Sequence, residues 1–328
     1  MRPGCRRTGV FALAIALTAA SPALAATDWK PERNVEVIAG VPPGGPLDTT
    51  ARMIEKFLQQ KSPAVSATVM NRPGGGHAIA MTYLNSHAGD GHYIAMALPN
   101  LLTNRIIGVH PLTYTDVTPL AVLTSEYIGM SVRADSAIKS GKDLLARLRA
   151  DPGALTFAIT SRASGNHIAA GTVLKAAGID LRKVKFVSFK GASETTVAVL
   201  GGHVDVVMAT PTSAWRHVQG GKLRMLAVTA PKRLGGDIAV VPTWKELGIN
   251  AVSANWRSVV GPRGLTPAQI AYWDQTLGTM VKTPEWQESL RTNQWEDEYV
   301  TSSGALKFMR EEYKDLEALL TDLGDAKK

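Results

Sequence analysis

Three short stretches of this chain carry the residue types that hold a small anion. The first is Pro43-Gly44-Gly45, with Asp48 three residues further on. Glycine adopts positive φ without steric penalty and leaves its N–H open to a partner. Asp48 stands where a helix N-cap belongs, and its carboxylate suits capping, a ligand contact, or both. The second stretch is Asn71-Arg72-Pro73-Gly74-Gly75-Gly76-His77, and the third is Thr160-Ser161-Arg162-Ala163-Ser164-Gly165-Asn166-His167. Each follows an apolar run and leads into a helical pattern. The first N–H groups of a helix lack intrahelical acceptors and carry partial positive charge, so a carboxylate or phosphate is stabilised there. The chemistry these stretches suit is anion binding. Glycine turns of this kind also serve geometry alone, and loop histidines such as His77 and His167 usually serve as surface or hydrogen-bonding groups.

Other chemistries find no matching pattern. Neither glycine loop reads GxGxxG or GxxxxGK[ST], which argues against a dinucleotide or P-loop site. The seven histidines show no HxH or HExxH spacing, so no metal site is expected. Ser161, Ser164 and His167 are neighbours in sequence, without the elbow that presents a nucleophilic serine. Trp215, Trp244, Trp256 and Trp273 are read as packing or hinge residues. No base or nucleophile set by a third group is found. The expectation is a binding protein with no catalytic residue, no metal and no cofactor.

The elements that must position these stretches alternate. Strand-like runs are expected at 35–41, 67–70, 93–98, 127–132, 156–159, 184–189, 204–208 and 223–229. Helical patterns fall at 48–60, 76–85, 141–150, 166–177, 193–200 and 212–219. Buried strands alternating with helices indicate an open, mostly parallel α/β sheet, or two of them. In such sheets, ligands bind beyond the carboxyl ends of the strands, where all three stretches lie. The C-terminal part reads as helices at 267–281, 284–291 and 303–323, with an extended piece near 295–300. The stretch 232–241 reads as a surface loop.

Composition bounds the rest. Arg2, Arg6 and Arg7 precede an apolar run at 10–20, and Ala23-Leu24-Ala25 follows. This is the form of a secretory signal peptide over residues 1–25, cleaved before Ala26. Cys5 lies ahead of the apolar run, so neither a lipid anchor nor a disulfide is expected. Removing three arginines and no acids lowers the formal net charge from +8 to +5. Lys and Arg are dispersed, with none of the clustering that nucleic acid requires. Roughly 300 mature residues suffice for two domains held by their cores alone.

The paired stretches VPPGGPLDTTAR and NRPGGGHAIA resemble the motifs of the tripartite tricarboxylate transporter substrate-binding proteins, the Bug-type periplasmic receptors. That family's pattern runs PGGxxDxxAR, then NxPGAGGxxG, then PDGYTL. Pro43, Gly44, Gly45, Asp48, Ala51 and Arg52 match the first. Asn71, Pro73, Gly74 and Gly76 match part of the second, with Gly75 in place of alanine and His77 in place of glycine. Gly89-Asp90-Gly91-His92-Tyr93-Ile94 stands for the third. Further on, Ser188-Phe189-Lys190-Gly191 resembles PYKG, 200–205 resembles LxGGQVD, and 221–229 is close to GKLRALAVT.

The resemblance implies a type 2-like periplasmic binding protein of two α/β domains joined by two crossover strands, with the ligand in the cleft between them. The expected division is 26–126 plus 253–328 for one domain and 127–252 for the other. The expected crossovers lie near 125–132 and 251–260. The implied ligand is a small organic acid. Its implied contacts are Pro43, Gly44, Gly45, Asp48, Gly74, Gly75, Gly76, His77, Ser161, Arg162, Ser164, Asn166, His167, Lys190 and Thr210. The implied partners are membrane transporter subunits, for a monomeric receptor in the periplasm. Alternative readings are a receptor feeding a sensor kinase, or a secreted enzyme acting on a carboxylic acid. The chain departs from the family pattern at Arg162, where small residues are usual, and at Gly171, where glutamate is usual. Met208-Ala209-Thr210 lacks the usual acid, and Asn255-Trp256-Arg257-Ser258 is bulkier than the usual GWxG.

Overall fold

The computed structural model describes Met1 and residues 29–61, 66–189 and 191–327; the expected leader after Met1, and Lys190, lie outside them. Along the chain, β1 (Val35–Ala39), β2 (Ala67–Asn71), β3 (Tyr93–Ala97) and β4 (Val117–Tyr127) are followed by β5 (Gly129–Arg133), β6 (Thr156–Ile159), β7 (Lys185–Ser188), β8 (Val206–Ala209) and β9 (Leu223–Val228). Then come β10 (Ala254–Pro262) and β11 (Glu296–Val300). They form two sheets, of order β11-β4-β10-β3-β1-β2 and β7-β6-β8-β5-β9.

The strands are not mostly parallel. Among the named strands, parallel pairing is confined to β1 with β2 and β3, and to β6 with β7 and β8. The antiparallel pairs gather where the chain changes sheets. It leaves the first sheet along β4, enters the second at β5, and returns along β10 beside β4, from Ala254↔Tyr127 to Pro262↔Val117. One strand leads out and the other leads back, so their pairing is antiparallel. The sequence reading has no strand between 98 and the crossover near 125–132, so most of β4 was not expected. All but one residue of the eleven in β4 are buried, so no period-two alternation announces it.

The helices are α1 (Pro46–Lys61), α2 (Ala78–Asn85), α3 (Asn100–Ile106), α4 (Gly141–Ala150), α5 (Gly165–Ala176), α6 (Ala192–Leu200), α7 (Pro211–Gln219), α8 (Pro267–Met280), α9 (Pro284–Asn293) and α10 (Ser302–Asp322). In α1, the residues Leu47, Ala51, Ile54 and Leu58 recur at the helical period and are buried. Pro at the first helical position opens α7, α8 and α9, where its fixed φ is already helical and its missing N–H costs no bond. A 3-10 turn at Gly236–Val240 interrupts the stretch expected to be loop. No helix among the described residues is long and apolar enough to cross a membrane.

One buried apolar cluster reaches both sheets, from Ile38 and Ala97 in the first to Phe157 and Met208 in the second. Helix α10 connects them. It packs on β4, on α3 and on α5, and Lys175 of α5 pairs with Asp322 at 2.6 Å. A Cβ at Gly171 would come within 3.1 Å of Leu323 and 3.3 Å of Leu319. The residue at 171 is therefore small where α5 meets α10.

Candidate functional site

The first two stretches form one structure, joined at Asp48. Helix α1 begins at Pro46, so Asp48 is the third helical residue and not the N-cap; Gly44 takes φ 90° just outside the helix. The Asp48 carboxylate is buried and accepts the Gly44 N–H at 2.9 Å, the Arg52 Nε–H at 2.9 Å and the Asn71 Nδ2–H at 2.8 Å. Asn71 also donates to the Val41 carbonyl at 3.0 Å. Burial raises the Asp48 pKa, but Arg52, the Gly44 N–H and Asn71 outweigh it and hold the carboxyl below its ordinary value. With these donors in place, Asp48 shapes the loop from within. Pro43 and Gly44 are exposed, and a Cβ at either Gly44 or Gly45 meets nothing within 4 Å.

The second stretch leaves β2 and turns through four consecutive residues of positive φ: Gly74 (128°), Gly75 (57°), Gly76 (58°) and His77 (76°). This moves the start of α2 to Ala78, two residues later than expected. Asn104 of α3 donates to the Gly76 carbonyl at 2.8 Å. His77 occupies a conformation that favours glycine, as the family pattern has there. Its ring lies against Gly40, where a Cβ would approach Nδ1 to 2.5 Å. Nδ1 is buried without a partner, and burial lowers the His77 pKa to about 4, so the imidazole is neutral near pH 7. The void beside Gly76 and His77 measures about 10 Å³, room for at most one water.

The third stretch is a built helix cap. Ser164 is the N-cap of α5, accepting the His167 N–H at 3.4 Å and donating to the Ser161 carbonyl at 2.7 Å. Asn166 donates to the Met208 carbonyl of β8. Gly165 faces β10, where a Cβ would come 3.2 Å from Asn255 Oδ1. Thr210 is the N-cap of α7, its hydroxyl 3.1 Å from that of Ser213. His167 is fully buried, and its Nδ1 accepts the Ala163 N–H at 3.1 Å, which assigns the proton of the neutral ring to Nε2. Burial, with Arg162 nearby, lowers its pKa to about 4. Arg162 projects from this loop to Asp325, just past α10, at 3.2 Å, with more than half of its side chain exposed.

The sequence reading missed Asp325 and the partner of Arg257, and held Asn255 only as a departure from the family pattern. Asp325, close to the C-terminus, sits in no recognisable pattern. Asn255 marks where the third loop approaches the crossover. Beside it lies a buried ion pair: Arg257 of β10 donates to Glu126 of β4 at 2.7 Å, and its guanidinium stacks on Trp295 at 4.3 Å. Thr212 of α7 donates to the same Glu126 at 3.0 Å, tying the second sheet's layer to the crossover. Arg257 was visible only as a departure from the family pattern. Among the described residues, no hydrogen bond joins the first two stretches to the third. Among these residues, no group of His, Cys, Asp and Glu has the arrangement of a metal site.

Two α/β sheets with their helices, two strands crossing between them and open strand-end loops on both sides define a two-domain periplasmic binding protein. The chain belongs to the tripartite tricarboxylate transporter family of receptors: the model described as "Tripartite tricarboxylate transporter family receptor" matches residues 50–324. It is 32% identical to a Cupriavidus necator protein named as the UPF0065 protein in the gbd 5' region, over 98% of this chain and 97% of that one. A TctC solute binding protein from Polaromonas, solved without ligand, shares the fold with a TM-score of 0.77 at 24% identity, covering 89% of this chain and 99% of the other. R. palustris Rpa4515, solved with adipate, does so at 0.75 and 24%, covering 90% and 99%.

Proposed function

We propose that this receptor captures a small organic acid between its two domains in the periplasm and delivers it to a membrane transporter, without catalysis. The observation that carries the reading is the open backbone at Gly44 and Gly45, held from behind by Asp48 and leading into the first turn of α1. The Gly44 N–H is held by Asp48, so a carboxylate resting there meets the Gly45 N–H, those of the first turn of α1 and a favourable helix dipole. The proposed domains are 26–126 plus 253–328 and 127–252, the first following a cleaved leader. The first domain offers Pro43 to Gly45 and Gly74 to His77. The second offers Ser161, Arg162, Ser164, Asn166, Lys190 and Thr210. Asp48 and His167 shape the loops from inside, since both are buried and hydrogen-bonded.

Arg162 is proposed as the contact that selects among acids. The guanidinium end of its contact with Asp325 faces water, which screens the pair. A ligand carboxylate can therefore take the guanidinium over, through two parallel N–H bonds. The adipate-bound relative supports a dicarboxylate for this chain.

Thermal shift of the mature protein with di- and tricarboxylates, acidic amino acids and aromatic acids tests the reading. At about 100 times Kd, linkage adds about 2.7 kcal/mol, a shift of several degrees for a chain of this size. One class is expected to give that shift with no loss of the acid on incubation. No shift with any acid, or turnover of one, would contradict the proposal.

A further inference from the structure

A cavity of about 570 Å³, lined by no residue of the three anion-binding loops, lies between α5, α10 and the start of β10. That volume is in the range of small-molecule sites. Its apolar wall combines the aliphatic Ile168, Leu316 and Leu319 with the rings of Tyr127, Trp256 and Phe308, the last two edge to face at 5.7 Å between ring centres. Its polar wall is acidic: Glu298, Glu312 and Asp315. Glu298 is satisfied, accepting Ser125 Oγ–H at 2.7 Å and the Tyr127 hydroxyl. The one lysine at the rim, Lys175, is already paired with Asp322.

Two groups remain unmatched. Trp256 is fully buried, and its indole N–H faces Glu312 without closing a hydrogen bond. Among the described residues, no cation forms an ion pair with Glu312 or Asp315. Burial, with Asp315 adding to it, pushes the Glu312 carboxyl up to about 7. A carboxylate pair beside aromatic faces is the environment that stabilises an organic cation, by charge and by attraction to the ring faces.

We propose that this cavity binds a small organic ammonium ion, with Glu312 and Asp315 facing the charge and Phe308, backed by the buried Trp256, facing its apolar body. It is a second site, independent of the carboxylate site proposed above. Both sheets' layers contribute to it, α5 from one and β10 and α10 from the other.

Calorimetry with choline, phenethylamine and putrescine on the full mature protein tests this. At least one is expected to bind saturably, one to one, with a Kd below about 1 mM. Glu312→Gln is expected to weaken it about tenfold or more. Asp315→Asn, a surface change that leaves folding intact, is expected to weaken it several-fold and decides the matter if the first variant does not fold. Choline keeps its charge at all pH values, while Asp315 and Glu298 are its other acidic neighbours and Lys175 and Tyr127 the remaining titratable ones. Its affinity is therefore expected to rise from about pH 6 to about pH 8 as Glu312 ionises. No binding of any amine up to about 10 mM, or binding that neither substitution changes, would overturn the proposal.

Discussion

Asp48 shows how one side chain fixes a loop that offers little packing of its own. Its carboxylate collects three donors from two separate stretches, and Asn71 completes the link. Asp48→Ala leaves the Gly44 N–H and the Asn71 amide without their acceptor, at a cost of about 1–3 kcal/mol. Because the folded carboxyl lies below its ordinary value, its contribution is present above the unfolded pKa and is lost as pH falls through the folded one. Denaturant unfolding is expected to show a deficit in Asp48→Ala at pH 7 that narrows below about pH 4. An equal deficit at both pH values would mean that the carboxylate's charge contributes nothing. The sequence located this residue but misjudged its position by a few places. Pro46 takes the first helical position, which puts Asp48 inside the first turn.

At the scale of elements, the paired β4 and β10 carry the connection between sheets, and Glu126–Arg257 is buried within it. Removing one partner leaves a buried charge. Arg257→Met is expected to cost about 3–5 kcal/mol, and adding Glu126→Gln is expected to recover much of that loss. Urea unfolding of the two single variants and the double variant measures the coupling. A double variant as unstable as the sum of the singles would show that the pair does not act as a unit. The alternation of strand and helix was legible over most of the chain because buried strands and amphipathic helices leave distinct periods. Helix α4 and strand β6 fall at the expected residues. Strand β4 was not legible because burial on both faces removes its period, and α3, only seven residues long, was too short to show one. The glycine loops were legible as motifs. Their partners Asn104, Asn255 and Asp325 were not, since nothing local relates them to the loops they touch.

Across the whole molecule, two histidines on opposite sides of the proposed cleft are held neutral. His77 and His167 each have a pKa lowered to about 4, mainly by burial. The unfolded chain takes up protons near pH 6.5 that the folded one refuses. Stability is therefore expected to be constant above that pH and to fall between about pH 6.5 and pH 4, by about 1–3 kcal/mol for each histidine. Unfolding of His167→Gln over the same range is expected to show a shallower fall, because glutamine does not titrate. A fall as steep as in the parent protein would place the acid sensitivity elsewhere.

The central claim is that an organic acid rests on the open backbone before α1, and Gly45 gives it a direct test. A side chain at Gly45 meets no neighbour and requires no left-handed backbone. Gly45→Leu should therefore fold, at a cost of no more than about 1 kcal/mol as a poorer helix cap. Titration calorimetry of the parent protein with the acid that gives the largest thermal shift is expected to show saturable binding at one site. The leucine fills the space that the carboxylate needs, so the variant is expected to lose at least about tenfold in affinity, or about 1.4 kcal/mol. A folded Gly45→Leu protein that binds the acid as tightly as the parent would contradict the account.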